Sequence, residues 1–281
     1  MKRFIKLITT SILALSLVAC SNNQATTDNE QPGDKPAVLS IIATANPHEI
    51  ILNKVAPILL EEYNIKLDIT VTDDYYIPNE LVSNGEVDVN FFQHVPFFSN
   101  EKETNNYAIS NILGVHIEPF GFYSKRISNI EDLPDNATIV VSNSVADNGR
   151  ILSILQKAGI LTLNDGVDAI TATLNDIKDN PKNLQFVEVK PELLYTAYEE
   201  DQGDLVAING NYAIQGGLKP SQDAVLLEQA DQDNPYVNII VCQEGKENDE
   251  RIQALVEVLK SDAIKEFIKN NWLDGSVIPA N

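Results

Sequence analysis

Cysteine is nearly absent, with two in 281 residues, which leaves no room for a disulfide framework or a thiolate metal cluster. Histidine is almost as scarce: His48, His94 and His116 sit at unrelated spacings, so a three-histidine metal site is not indicated. His48-Glu49-Ile50-Ile51 opens like a zinc-protease helix, but the position needing a second histidine is Leu52. Neither a Gly-x-Ser-x-Gly elbow nor a Gly-x-x-x-x-Gly-Lys-Ser/Thr phosphate loop occurs. No metal, cofactor or catalytic residue is therefore expected. Basic residues are few, 20 Lys+Arg against 41 Asp+Glu, for a net charge of −21. Phosphate backbones are held by Lys and Arg, so nucleic acid is an unsuitable partner. With 43% hydrophobic and 22% charged residues, the chain is neither disordered, collagenous nor a polytopic membrane protein.

What is present begins at the amino terminus. Lys2, Arg3 and Lys6 precede an uncharged, largely apolar run from Leu7 to Ala19. That run is too short to span a bilayer but suits a signal-peptide core. It closes on Leu17-Val18-Ala19-Cys20-Ser21, which resembles a bacterial lipobox. Residues 1–19 are then a signal peptide, and Cys20 carries diacylglycerol and a further acyl chain such as palmitate. An ordinary secretory signal with an incidental cysteine is the alternative. Cleavage would remove three basic residues and leave a net charge of −21 − 3 = −24. Residues 20–37 are mostly Asn, Gln, Thr, Asp, Glu, Pro and Gly and read as a flexible tether. Cys242, flanked by Ile239-Ile240-Val241, reads as a buried strand thiol.

From Val38 onward, short apolar runs alternate with amphipathic stretches, the pattern of an α/β fold. Strands are expected at 38–43, 65–71, 113–116, 121–123, 138–142, 205–208 and 237–242, and helices at 50–63, 151–158 and 252–268. Polar and aromatic clusters fall between them: Asp73-Asp74-Tyr75-Tyr76, Phe91-Phe92-Gln93-His94, Asn143 to Arg150, and Asn209-Gly210-Asn211-Tyr212. Loops at the carboxyl ends of strands gather around ligand crevices in open α/β sheets, so these clusters are candidates for one binding site.

Asp88-Val89-Asn90-Phe91-Phe92-Gln93-His94-Val95-Pro96-Phe97 resembles the methionine-binding lipoproteins of the NlpA family, substrate-binding components of ABC importers. The resemblance extends through Pro47-His48-Glu49-Ile50, Pro119-Phe120-Gly121-Phe122-Tyr123, Asn148-Gly149-Arg150, Asn209-Gly210-Asn211-Tyr212 and Asn234-Pro235-Tyr236-Val237-Asn238. It implies a two-lobed periplasmic-binding-protein fold of type II, with the ligand cleft between lobes. Lobe 1 would take residues 38–120 and 238–281, and lobe 2 residues 121–237. Hinges would lie near Pro119-Phe120 and Pro235-Asn238.

The resemblance also implies a site. Arg150, at the expected start of a helix, would hold a ligand carboxylate bidentately, and the amides of Asn211 and Asn238 would contact the ligand's amino-acid backbone. Tyr75, Phe92 and His94 would line the pocket, where aromatic rings suit a thioether. Two departures bear on the ligand. The family commonly has Tyr where this chain has Phe97, and Asn-Asp-Pro/Ala-Thr-Asn where it has Asn143-Ser144-Val145-Ala146-Asp147. Ala146 removes a donor and Asp147 adds an acceptor. The implied function is a non-enzymatic, monomeric, lipid-anchored protein on the extracytoplasmic face of the cell membrane. It would capture L-methionine or a close analogue for an ABC permease and its ATPase subunit. A binder of methionyl dipeptides or another small amino acid, a lipid-anchored hydrolase and a surface interaction protein stay open as alternatives.

Overall fold

In chain order the strands are β1 (Ala37–Ala43), β2 (Ile65–Val71), β3 (Val89–His94), β4 (Ile109–Ile117), β5 (Gly121–Tyr123), β6 (Thr138–Ser142), β7 (Thr162–Leu163) and β8 (Ile177–Asp179). They continue with β9 (Gln185–Val189), β10 (Leu205–Ile208), β11 (Leu226–Leu227), β12 (Val237–Gln243) and β13 (Ile278–Pro279). The computed structural model describes residues 35–229 and 234–280, so the signal-like segment, Cys20 and most of the tether lie outside the described residues. The helices are α1 (Ile50–Tyr63), α2 (Ile77–Ser83), α3 (Val95–Asn105), α4 (Val145–Lys157), α5 (Leu194–Glu199), α6 (Gly210–Gln215), α7 (Pro220–Asp223), α8 (Glu250–Lys260) and α9 (Asp262–Asn271). None of them is long and apolar enough to cross a membrane.

Two main sheets result. One has the order β13-β4-β12-β3-β1-β2, the other β11-β5-β10-β6-β9. β1 pairs in parallel with β2 and β3, whereas β12 runs antiparallel between β3 and β4. In the second sheet β6 is parallel to β9 and β10, and β5 is antiparallel to β10. The chain passes from the first sheet to the second through Glu118–Phe120 and returns just before Val237. Each sheet has its own apolar core: Leu39, Ile41, Leu52, Phe91 and Leu255 belong to the first, and Phe122, Ile139, Val141, Leu152 and Leu205 to the second.

Local chemistry explains the boundaries. The β-branched, apolar runs at 65–71, 138–142 and 205–208 form strands as expected. α1 stops at Asn64, whose φ of 54° is left-handed, a conformation asparagine tolerates at a helix end. The helical period expected over 252–268 divides into two helices, because Ser261 leaves α8 in an extended conformation and caps α9 by accepting from Ile264 N–H. Phe91-Phe92-Gln93-His94, read as a loop cluster, is the end of β3 and is buried on both faces. Of the segment before Arg150, Asn143 and Ser144 lie outside a helix but Val145 to Asp147 do not, since α4 begins at Val145. Its polar first turns hide the helical period, because Asp147, Asn148 and Arg150 are all buried. Cys242 lies fully buried in β12, and burial pushes its thiol up to about 11.

Candidate functional site

The cleft is lined by Tyr75, Phe92, Gln93, His94, Phe97, Glu118, Asp147, Arg150, Asn209, Gly210, Asn211 and Asn238. The eight pocket residues expected from the sequence all face it. Tyr75 follows β2, Phe92 and His94 end β3, and Phe97 stands in the first turn of α3. Asp147 and Arg150 come from α4, Asn211 from α6 and Asn238 from β12. Residues from both sheets thus meet at one place.

Aromatic rings form one wall. Tyr75 lies 5.9 Å from Phe92 and 5.8 Å from Phe97, ring centroid to ring centroid, and stacks on Tyr212 at 5.0 Å. Phe97 is 4% exposed, so the ring packs fully although it lacks the hydroxyl common in the family.

The amides are oriented by their partners. Tyr75 Oη donates to Asn211 Oδ1 at 2.5 Å, which leaves the buried Asn211 Nδ2 without a partner among the described residues. Asn209 Nδ2 donates to Asp147 Oδ1 at 3.2 Å, which leaves the buried Asn209 Oδ1 without one. Asn238 Oδ1 accepts from His48 Nε2 at 3.1 Å, so its NH₂ end is free to donate. The cleft therefore presents amide donors at two positions and an amide acceptor at a third. Buried polar atoms left unpaired are costly unless something occupies them.

Charged groups complete the lining. Glu118, which the sequence reading missed, is 5% exposed and accepts from His116 Nε2 at 2.7 Å. Burial raises its pKa, against the pull of His48, Arg150, His94 and the Asn211 N–H. Burial also drives His48 and His116 down to about 3, so both rings are neutral hydrogen-bonding groups. Gly210 has to be glycine, because a Cβ there would come within 2.6 Å of the Glu118 Cβ. His94 caps α3, its Nδ1 accepting from Phe97 N–H at 3.2 Å, and turns Nε2 to Asp147 Oδ1 at 3.5 Å. Burial would raise the Asp147 pKa, but His94, Ser142 and Arg150 outweigh it and hold the carboxyl below its usual range.

Arg150 differs from expectation in two respects. It lies more than one turn inside α4, so the free N–H groups of the helix start are not beside it. Its Nε–Nη2 edge is also taken by Glu228, with Nε at 3.1 and 3.2 Å from the two carboxylate oxygens and Nη2 at 2.5 Å from one. Nη2 donates as well to Glu118 O at 2.7 Å. The bidentate fork expected for a ligand is thus occupied internally, and among the described residues Nη1 alone makes no hydrogen bond. Burial would lower the Arg150 pKa; the adjacent carboxylate reverses this and keeps the guanidinium charged.

His48, His116 and Glu118 lie close enough that one ligand atom of each falls within 4.8 Å of the others. Sequence spacing gave no reason to join these histidines. Their Nε2 atoms face Asn238 and Glu118, so the cluster orients two cleft residues, while His116 Nδ1 has no hydrogen-bond partner among the described residues.

Comparisons with known proteins bear on the family and the fold. Residues 39–281 match the family model described as NlpA lipoprotein. The methionine-binding lipoprotein MetQ of Bacillus subtilis is 44% identical, over 96% of this chain and 96% of that protein. A nutrient binding protein from Burkholderia cenocepacia, solved bound to methionine, superposes with a TM-score of 0.81 at 29% identity, covering 86% of this chain and 100% of that one. A periplasmic substrate-binding protein of an ABC transporter from Coxiella burnetii gives a TM-score of 0.80 at 34% identity, covering 86% and 100%. The α/β binding-protein fold implied by the sequence is the fold of these structures, and the chain belongs to the NlpA lipoprotein family.

Proposed function

We propose that the cleft captures a single zwitterionic amino acid, methionine or a close analogue, and presents it to an ABC permease. The observation that carries this reading is the presence of one donor and one acceptor amide end, Asn211 Nδ2 and Asn209 Oδ1, both unpartnered among the described residues and both on residues lining one cleft. A carboxylate needs donors, and Asn211 Nδ2, the Asn238 amide and Arg150 Nη1 supply them. An ammonium needs acceptors, and Asn209 Oδ1, Glu118 and Asp147 supply those. The rings of Tyr75, Phe92 and Phe97 suit an apolar thioether, since sulfur–aromatic contacts are worth about 0.3–1.5 kcal/mol each. The names of the B. subtilis and B. cenocepacia relatives support methionine among apolar amino acids.

Capture would follow closure of two lobes, residues 38–120 with 238–281 against 121–237, about the segments near Pro119-Phe120 and Pro235-Asn238. The chain performs no chemistry, and transport energy comes from the importer's ATPase subunit. Diacylglycerol on Cys20 would hold the protein on the extracytoplasmic face of the cell membrane, with residues 20–37 as tether. Mass spectrometry of the purified protein under native conditions tests the ligand. The expected result is one retained mass equal to methionine; a retained dipeptide would change the substrate, and hydrolysis of added peptides would remove the binding-protein reading.

A further inference from the structure

Glu228, which follows β11, has no part in the ligand contacts proposed above. Its carboxylate takes the Nε–Nη2 edge of Arg150, and Oε2 also accepts from Phe120 N–H at 3.0 Å. The Tyr236 ring centroid lies 4.3 Å from the guanidinium carbon and that of Phe120 at 5.4 Å. Arg150 is 4% exposed at its side chain and Glu228 9%. The guanidinium is therefore fixed by a carboxylate, the Glu118 carbonyl and two rings, and among the described residues nothing bonds to Nη1. These partners belong to the two segments by which the chain passes between sheets, Glu118–Phe120 and the residues before Val237. Arg150 cannot swing away toward a ligand without disturbing both.

A ligand carboxylate thus approaches an arginine that already has a counter-ion. We infer that Glu228 is a positioning residue that sets the effective charge of Arg150, limiting how strongly the cleft prefers a carboxylate over a neutral amide of the same shape. This rests on the reading that an amino-acid carboxylate lies beside Arg150. The charge count argues for tuning beyond packing: one guanidinium faces the carboxylates of Glu118, Asp147 and Glu228. Removing the Glu228 charge leaves Arg150 less fully compensated, so that a ligand carboxylate meets a larger effective positive charge.

The test is calorimetry with methionine and methionine amide on the full chain carrying Cys20→Ala, with and without Glu228→Gln. Glutamine retains the shape and an acceptor oxygen for Nε–H but not the charge. The ratio of methionine to methionine-amide affinity should rise about tenfold in the variant. An unchanged ratio, or equal losses for both compounds, in a folded variant would show that Glu228 is structural only. If Glu228→Gln does not fold, Glu228→Asp withdraws the carboxylate by one methylene and should raise the ratio about threefold; no rise overturns the inference. Wild-type protein that binds neither compound overturns the amino-acid reading itself, whereas wild-type binding with an unchanged ratio overturns only the role of Glu228.

Discussion

Tyr75 follows a strand of the first sheet and Asn211 a strand of the second, and the tyrosine hydroxyl donates to the amide oxygen at 2.5 Å. The bond turns the Asn211 NH₂ group toward the cleft, where it has no partner. Tyr75 thereby does two things: its ring forms part of the aromatic wall and its hydroxyl chooses which end of the amide a ligand meets.

Tyr75→Phe should therefore keep the wall and lose the orientation. A net hydrogen bond is worth about 0.5–1.5 kcal/mol, which corresponds to binding weaker by about 2- to 12-fold. Calorimetry with methionine reads the loss, and thermal unfolding should show the fold intact. Unchanged affinity would mean that Asn211 is oriented by something else.

Arg150→Ala should damage binding and stability together. Glu228 would be left buried without its cation, and breaking one side of such a pair costs about 3–5 kcal/mol. Loss of a charge-assisted contact to the ligand should weaken binding by more than about tenfold. Replacing both partners, Arg150→Met with Glu228→Met, should recover most of the stability but not the binding. Denaturant unfolding separates the two effects.

The histidine cluster predicts a stability that falls in acid. His48 and His116 titrate near 3 when folded, below the usual 6.5. Between pH 6.5 and about 3 the unfolded chain takes up protons there that the folded chain refuses, so their stabilising contribution is complete above 6.5 and declines as pH falls, by up to about 1.4 kcal/mol per unit for each group. Glu118 acts in the opposite sense: its raised pKa favours the fold in acid, and that advantage is lost as pH rises from the usual carboxylate range through the folded value. His116→Gln should flatten the acid slope by about one proton between pH 6 and 5, measured by urea unfolding at each pH. An unaltered slope would assign the acid sensitivity elsewhere.

The anchor has its own test. Cys20→Ala should move the protein from the membrane fraction to the soluble one and abolish the acyl mass, because stable attachment needs two or more chains at about 0.8 kcal/mol per buried methylene. Retention in the membrane with no acyl mass lost would contradict the lipoprotein processing proposed for residues 1–20.

Much of the fold was legible because strands such as β2, β6 and β10 are short β-branched or apolar runs between breaks, and α1 shows a clear apolar face. The start of α4 was not, because its first turns point polar side chains into the cleft and break the apolar period. Motif order brought the eight pocket positions into view, but not their partners. Glu228 lies 78 residues from Arg150, and among 41 acidic residues nothing local marks it as the counter-ion. Glu118 carried a faint signal: it is a lone carboxylate closing the buried strand end Val115-His116-Ile117. Long-range pairing of this kind is set by topology, since β12 returns to place Asn238 beside His48 after 190 residues.

The most direct test of the account is a titration of ligand-stripped Cys20→Ala protein with L-methionine by calorimetry, repeated with glycyl-methionine. The account predicts saturable one-to-one binding of methionine at about micromolar concentration or tighter, and weaker binding of the dipeptide. A folded protein that gives no methionine binding up to about millimolar concentration, or that prefers the dipeptide, would contradict it.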